Sequence, residues 1–143
     1  MGVHYYLSRS WNALKFDLDM AQEDKNILLK DLCARLPYGF TIHRYSDNRD
    51  ITFEPNKLDE FAHFLEYSEG EEFKPYLRPM SSMTKDEVKQ YYKIRTGEDR
   101  NKPLGELDAE LFDFYHKNHI DYRGLVPMGL ALEAPEGMYE VHT

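Results

Sequence analysis

Apolar residues recur at helical spacing between about residues 20 and 36. Four of them share one helix face at positions i, i+3, i+4 and i+7: Leu29, Leu32, Cys33 and Leu36. Asp19 can cap the start of such a helix, and Pro37 cannot continue it. The pattern predicts a helix over about 20–36, with Cys33 as a buried, unreactive thiol on its apolar face.

Three further segments show the same helical spacing. Asn56 can cap a second helix, and Thr84 with Glu87 forms a capping box ahead of a third, which closes at Gly97. A fourth helix is predicted over about 106–118, because its apolar positions again fall on one face. These positions are Leu107, Leu111, Phe114 and Tyr115.

Other segments show the pattern of β-strands. Val3–Leu7 alternates apolar and polar residues, which is typical of a half-buried strand. Phe40–Tyr45 and Ile51–Phe53 flank a run of turn-forming residues at 46–50, so a β-hairpin is predicted there. Two prolines restrict Phe73–Met80 to extended backbone.

These elements predict an α+β fold with about four helices packed on a small, mainly antiparallel sheet. A chain of 143 residues fits a single globular domain spanning residues 1–143. The segment after residue 119 is rich in Gly and Pro and is predicted to form short turns. Residues 135–143 are expected to be a tail that frays.

The net charge of −8 is concentrated near the C-terminal end. Residues 104–143 contain eight acidic and two basic side chains, excluding His. Such a surface repels phosphate backbones and anionic lipids, which disfavours nucleic-acid and membrane partners. No apolar run approaches a membrane span, the N-terminus lacks the pattern of a secretory signal, and Cys33 is the only cysteine. A cytoplasmic location is therefore expected.

The acidic side chains of the fourth helix are the candidate protein-binding residues. They are Glu106, Asp108, Glu110 and Asp113. Only Lys117 is close to them on the same helix, so most of them are expected to face water or a basic partner. The alternative interpretation is that the charge only maintains solubility.

One group of residues could form a metal site, although neither a metal nor another cofactor is expected. His116, His119 and Asp121 carry donor atoms that zinc accepts, and their spacing is short enough to converge. The helical pattern, however, places His116 on the solvent side near Asp113. The sequence contains no Gly-x-Ser-x-Gly elbow, P-loop or dinucleotide motif, so no catalytic residue is assigned.

Arg123 is one of the two cations in the acidic C-terminal quarter. It is expected to pair with Asp121 or Glu133, or to stack on a tyrosine ring, and in each case it would act as a structural clamp. Anion capture is the alternative.

Three stretches of the sequence resemble one protein family. They are LLKDLCARLPYG (Leu28–Gly39), KPYLRPMSSMT (Lys74–Thr84) and NHIDYRGLVPMGLALEAPEGM (Asn118–Met138). Together they resemble a family of small uncharacterised proteins of Bacteroides-type gut bacteria, their phages and mobile elements. This chain departs from the family in its longer segment before the first stretch and in its middle, residues 47–72. The resemblance implies no activity, but it does imply a phage or mobile-element setting.

The sequence thus favours a non-catalytic protein-binding or regulatory module of phage or mobile-element type. Two alternatives stay open at this point. One is a metal-assisted hydrolase that uses His116, His119 and Asp121. The other is a structural or assembly component of a phage-like particle. The sequence does not indicate the oligomeric state or the identity of a partner.

Overall fold

A computed structural model describes residues 11–67, 72–96 and 102–139, with side chains from Gln22 onward. Within these ranges the chain forms four α-helices and five strands, which make a mixed sheet that is mainly antiparallel. The predicted α+β fold is confirmed. The chain divides into two compact units, Met1–Cys33 and Ala34–Thr143, and the sheet and three of the helices belong to the second.

The first helix, α1, spans Trp11–Arg35 and is followed by one 3-10 turn at Leu36–Tyr38. It begins well before the predicted cap, so Asp19 lies inside the helix. The segment between Trp11 and Asp19 contains neither Gly nor Pro, so nothing in it interrupts a helix. The strand predicted at Val3–Leu7 lies outside the described residues.

The prediction that Cys33 is buried was wrong, because this side chain is exposed. The buried positions of the last turns of α1 are Leu28, Asp31, Leu32 and Arg35. Two of these four residues are charged, and the apolar stripe in the sequence skips them. The helix face predicted from the apolar stripe is therefore rotated toward Cys33 relative to the face that is buried in the structure.

The predicted hairpin is confirmed. Strands β1 (Phe40–Arg44) and β2 (Arg49–Phe53) pair antiparallel, with Phe40 opposite Phe53. The third strand, β3 (Phe73–Pro79), also lies antiparallel to β1, with Pro75 opposite Ile42.

The second half of β3 has different partners from the first half. From Tyr76 onward, β3 pairs in parallel with two short strands, β4 (Ile120–Asp121) and β5 (Leu132–Glu133). Arg78 lies opposite Ile120 in the first of these pairings. The C-terminal region therefore contributes strands to the sheet, where the sequence predicted only turns.

Helix α2 (Leu58–Tyr67) packs on one face of the sheet through aromatic rings. The ring centroid of Phe61 lies 5.3 Å from that of Phe40, and Phe64 lies 5.1 Å from Phe73. Both pairs adopt the edge-to-face geometry that aromatic rings favour. Four residues of this segment, Leu58, Phe61, Ala62 and Leu65, fall at the spacing of one helix face. They mark the buried face of α2 only in part, because Leu58 and Ala62 are exposed and Phe64 is buried. The predicted cap, Asn56, instead adopts a positive φ of 62°.

Helices α3 (Lys85–Thr96) and α4 (Leu104–Lys117) pack on each other around Phe114, Tyr115 and Ile120. The capping box at the start of α3 is confirmed in both directions. The backbone N–H of Thr84 donates to Glu87 Oε1 at 2.9 Å, and the N–H of Glu87 donates to Thr84 Oγ1 at 3.2 Å.

A buried ion pair joins β3 to α3. Arg78 donates from Nη1 to Glu87 Oε2 at 2.8 Å and from Nη2 to Glu87 Oε1 at 2.7 Å. The same guanidinium also donates to the carbonyl oxygens of Asn118 and Ser82. Burial alone would raise the pKa of Glu87, but the hydrogen bonds from Arg78 and Thr84 outweigh burial and hold this pKa below its ordinary value.

We expect Arg78→Met to destabilise the fold by about 3–5 kcal/mol, because it leaves the Glu87 carboxylate buried without its cation. Urea denaturation measures this loss. Glu87→Gln keeps the cap on Thr84 and removes the charge, so the double variant should be clearly more stable than the sum of the two single losses predicts. Additive losses would show that the pair is not coupled.

Candidate functional site

The exposed side of α4 carries an aromatic ring between acidic side chains. Gly105, Ala109 and Phe112 lie at i, i+4 and i+7 and so follow one line along the helix. All three are exposed, and Phe112 retains 45% of its accessible surface. The small residues leave the surface low beside the ring. Asp108 lies one turn before Phe112 on the same side of α4, and Asp113 points about 100° around the helix from it.

The Phe112 ring rests on a fixed support. Its centroid lies 5.4 Å from that of Tyr122, and it stacks against His116 at 6.4 Å with an interplanar angle of 22°. His116 Nε2 and the Tyr122 hydroxyl are hydrogen-bonded at 2.8 Å, which ties the two supporting rings together. The ring is thus held in place before any partner binds.

The four predicted acidic residues do not share one environment. Glu106, Asp108 and Asp113 are exposed on α4. Glu110 is half-buried and forms an ion pair with Lys102, which precedes the helix. Glu110 is therefore an exception to the expectation that these acidic residues face water or a basic partner. Three carboxylates are therefore exposed, and Asp108 is the one that lies on the side of Phe112. Burial and the negative charge of Asp113 raise the pKa of Tyr38, so Asp113 lies near that ring.

Arg123 lies over the ring of Tyr122, with its guanidinium carbon 5.1 Å from the ring centroid. Of the contacts expected for Arg123 from the sequence, this is the stacking on a tyrosine ring. Arg35, which is buried, approaches the same ring at 5.4 Å and donates to the Ile120 carbonyl at 2.8 Å. Arg123 is therefore part of the aromatic support beneath α4.

The structure gives His116, His119 and Asp121 three separate roles. His116 is buried against Tyr122, so the prediction that it faces solvent was wrong. The turn after α4 brings Tyr122 back over the helix and covers it. Asp121 accepts the backbone N–H groups of Leu125 and Val126 at 2.8 and 2.9 Å. In the part of the chain that the structure describes, no three His, Cys, Asp or Glu residues are arranged to hold a metal ion.

His119 anchors the C-terminal segment. Its ring stacks on that of Tyr139, with centroids 3.7 Å apart. The Tyr139 hydroxyl accepts the Thr41 N–H at 3.0 Å and donates to the Tyr76 carbonyl at 2.8 Å, so it bridges β1 and β3. Burial, together with the positive charges of the nearby Arg35 and Arg78, lowers the pKa of His119 to about 4. Residues 140–143 of the predicted tail lie outside the described residues.

A second polar cluster lies on the hairpin. Asp50 Oδ1 is 2.8 Å from His43 Nδ1 and accepts the Tyr76 hydroxyl at 2.9 Å. The hydrogen bonds from His43 and Tyr76 lower the pKa of Asp50, while burial and the bond to Asp50 raise the pKa of Tyr76 to about 12. His43 and Asp50 are direct cross-strand neighbours, which only the strand register reveals.

A cleft of about 770 Å³ lies beside β3 and is lined in part by Arg78, Ser82, Thr84, Pro135 and Tyr139. The side chains of Arg78, Ser82 and Thr84 are already engaged within the chain, whereas the exposed carboxylates of Glu133 and Glu136 also line the cleft. The Arg78 guanidinium bonds Glu87, Ser82 Oγ donates to the Pro79 carbonyl, and Thr84 Oγ1 accepts the Glu87 N–H.

Comparison of the chain with models of known protein families, with curated proteins and with solved structures found no match. Among the described helices, none combines the length and the apolar character needed to cross a membrane. The interpretation of the candidate site therefore depends on its geometry. The exposed side of α4 is the surface that this geometry favours.

Phe112, which is central to this surface, is not among the residues that the sequence pattern pointed to. A signal was present, because Phe112 falls outside the apolar stripe that defines the buried face of α4. An aromatic residue that lies outside the apolar stripe of an amphipathic helix must point toward solvent or toward another segment of the chain. Its support by Tyr122 and His116 depends on the turn after α4, which no local pattern predicts.

We expect His119 to make stability depend on pH. Its ordinary pKa of 6.5 is lowered to about 4 in the folded chain. Between these values the unfolded chain binds a proton that the folded chain does not. Stability therefore falls as the pH decreases through this window, by up to about 3 kcal/mol at its lower end.

Urea denaturation between pH 7 and pH 4 measures this dependence. His119→Asn removes the titrating group and keeps a residue that tolerates the positive φ of 59° at this position. The variant should lose stability less steeply than the wild type between pH 6.5 and 4. Identical slopes for both proteins would contradict the assignment to His119.

Proposed function

We propose that this protein is a non-catalytic module that binds a protein partner with a basic surface. The binding surface is the acidic α4 face, defined as Gly105, Glu106, Asp108, Ala109, Phe112 and Asp113. The observation that carries the proposal is the exposed Phe112 ring, held on Tyr122 and His116 beside the exposed carboxylate of Asp108. Exposed aromatic rings with polar surroundings are typical of protein interfaces.

Charge complementarity defines the kind of partner. Three carboxylates of the acidic α4 face point outward, and residues 104–143 contain only two basic side chains. A surface of this sign attracts Lys and Arg side chains and speeds their association. It repels nucleic acids, whose backbones carry the same sign.

The proposal extends to the setting of the protein. The three stretches that resemble proteins of gut bacteria, phages and mobile elements support a phage or mobile-element origin. A single cysteine in 143 residues, with its side chain exposed, supports a cytoplasmic location, where thiols stay reduced. Small acidic proteins in such a setting often act by binding other proteins.

The geometry gives less support to the two alternatives. A metal-assisted hydrolase would need His116, His119 and Asp121 to converge, but each makes a different contact. A role in assembling a phage-like particle has no specific observation in its favour. The experiment that tests the function therefore changes residues of the acidic α4 face.

Affinity capture from a host lysate with matched variants tests the proposal. Asp108→Lys/Asp113→Lys reverses two charges of the acidic α4 face. Glu60→Lys/Glu66→Lys makes the same change in net charge at exposed positions of α2. We expect a basic protein to be captured by the wild type and the α2 variant, and to be lost by the α4 variant.

The association rate of the captured protein provides the second measurement. If electrostatic attraction steers the two proteins together, their association rate should fall by about tenfold or more between low and physiological salt. Melting temperatures of the three baits should agree within a few degrees, since the substituted residues are exposed. Equal capture by both variants, or an association rate independent of salt, would leave the acidic residues with a role in solubility only.

A further inference from the structure

The aromatic cluster beside α4 already binds arginine side chains within the chain. Arg123 and Arg35 lie 5.1 and 5.4 Å from the Tyr122 centroid, and Arg95 lies 6.0 Å from that of Tyr91. All three distances are within the range of cation–π contacts. The rings are connected, since Tyr91, Tyr115 and Tyr122 contact one another in sequence.

Phe112 extends this cluster to the surface. Among the residues that the structure describes, none places a cation over the Phe112 ring, which is 45% exposed. Asp108 lies one turn before it on the same side of α4, and side chains at this spacing have Cβ atoms about 5–6 Å apart. The position thus combines an open aromatic ring with a carboxylate close enough to contact the same ligand group.

We propose that the acidic α4 face recognises an arginine side chain of its partner, stacked on Phe112 and hydrogen-bonded to Asp108. This inference rests on the proposed function and specifies the chemistry of the partner. A guanidinium suits the position better than an ammonium, because it is planar, less strongly hydrated, and able to donate two parallel hydrogen bonds to one carboxylate. The rings beneath Phe112 fix its orientation, so little freedom is lost on binding.

The neighbouring Arg123 does not cancel the attraction. Its guanidinium lies on Tyr122, while Glu106, Asp108 and Asp113 face outward from α4. The local balance of charge stays negative. A lysine or an apolar side chain on Phe112 is the competing occupant, and the experiment separates these cases.

Two capped peptides of equal charge, hexa-arginine and hexa-lysine, serve as probes. Each is titrated into the full chain, and amide and side-chain resonances of α4 are followed by NMR. We expect hexa-arginine to bind about three- to fivefold more tightly, with the largest shifts at Asp108, Ala109 and Phe112. Equal affinities, or shifts centred outside α4, would overturn the inference.

Matched variants identify the ring responsible. Phe112→Leu keeps an apolar side chain and should remove the preference for arginine while leaving the weaker binding that both peptides share. Tyr67→Leu removes another exposed ring, on α2, and should leave the preference intact. A preference that survives Phe112→Leu would show that the guanidinium binds elsewhere.

The peptide titration tests the arginine site and the lysate capture tests the proposed function, so the failure of one can be told from the failure of the other. If hexa-arginine shows the predicted preference but no charge-dependent partner is captured, the arginine site stands and the proposed function is wrong. If a basic partner is captured but hexa-arginine binds no more tightly than hexa-lysine, the proposed function stands and the arginine site is wrong.

Discussion

The buried ion pair between Arg78 and Glu87 is the contact on which the arrangement of the other elements depends. Arg78 belongs to β3, Glu87 to the first turn of α3, and the Arg78 guanidinium also reaches the Asn118 carbonyl at the end of α4. The backbone N–H of Arg78 donates to the His119 carbonyl at 2.8 Å. One residue thus fixes α3 and the end of α4 against the sheet. Removing one partner of such a buried pair is strongly destabilising, because the other charge is left buried without compensation.

The exposed face of α4 follows from this constraint. Once the end of the helix is fixed at Asn118 and His119, the next residues form β4 and return Tyr122 to the helix. Asp121 stabilises the return by accepting two backbone N–H groups of the following turn. Tyr122 then covers His116 and supports Phe112, so the outer side of α4 combines a fixed ring with three carboxylates.

The sequence predicted the parts of this structure that depend on neighbours in the chain. The hairpin and the capping box of Thr84 and Glu87 were correct, because turn residues and cap spacings are local signals. The errors at Cys33 and His116 have a common cause. Burial at those positions is decided by contacts between distant segments and by charged residues in buried positions, and hydrophobic periodicity detects neither. Phe112 was missed for the same reason, since its support comes from the turn after α4.

Site-specific photo-crosslinking in cells tests the central claim, that the acidic α4 face is the binding surface, most directly. A photoreactive phenylalanine at Ala109 lies on that face, and the same group at Ala62 lies on an exposed position of α2. We expect an adduct with a basic protein from position 109 that is absent from position 62 and lost when Asp108→Lys is added. No adduct at 109, or the same adducts at both positions, would contradict it.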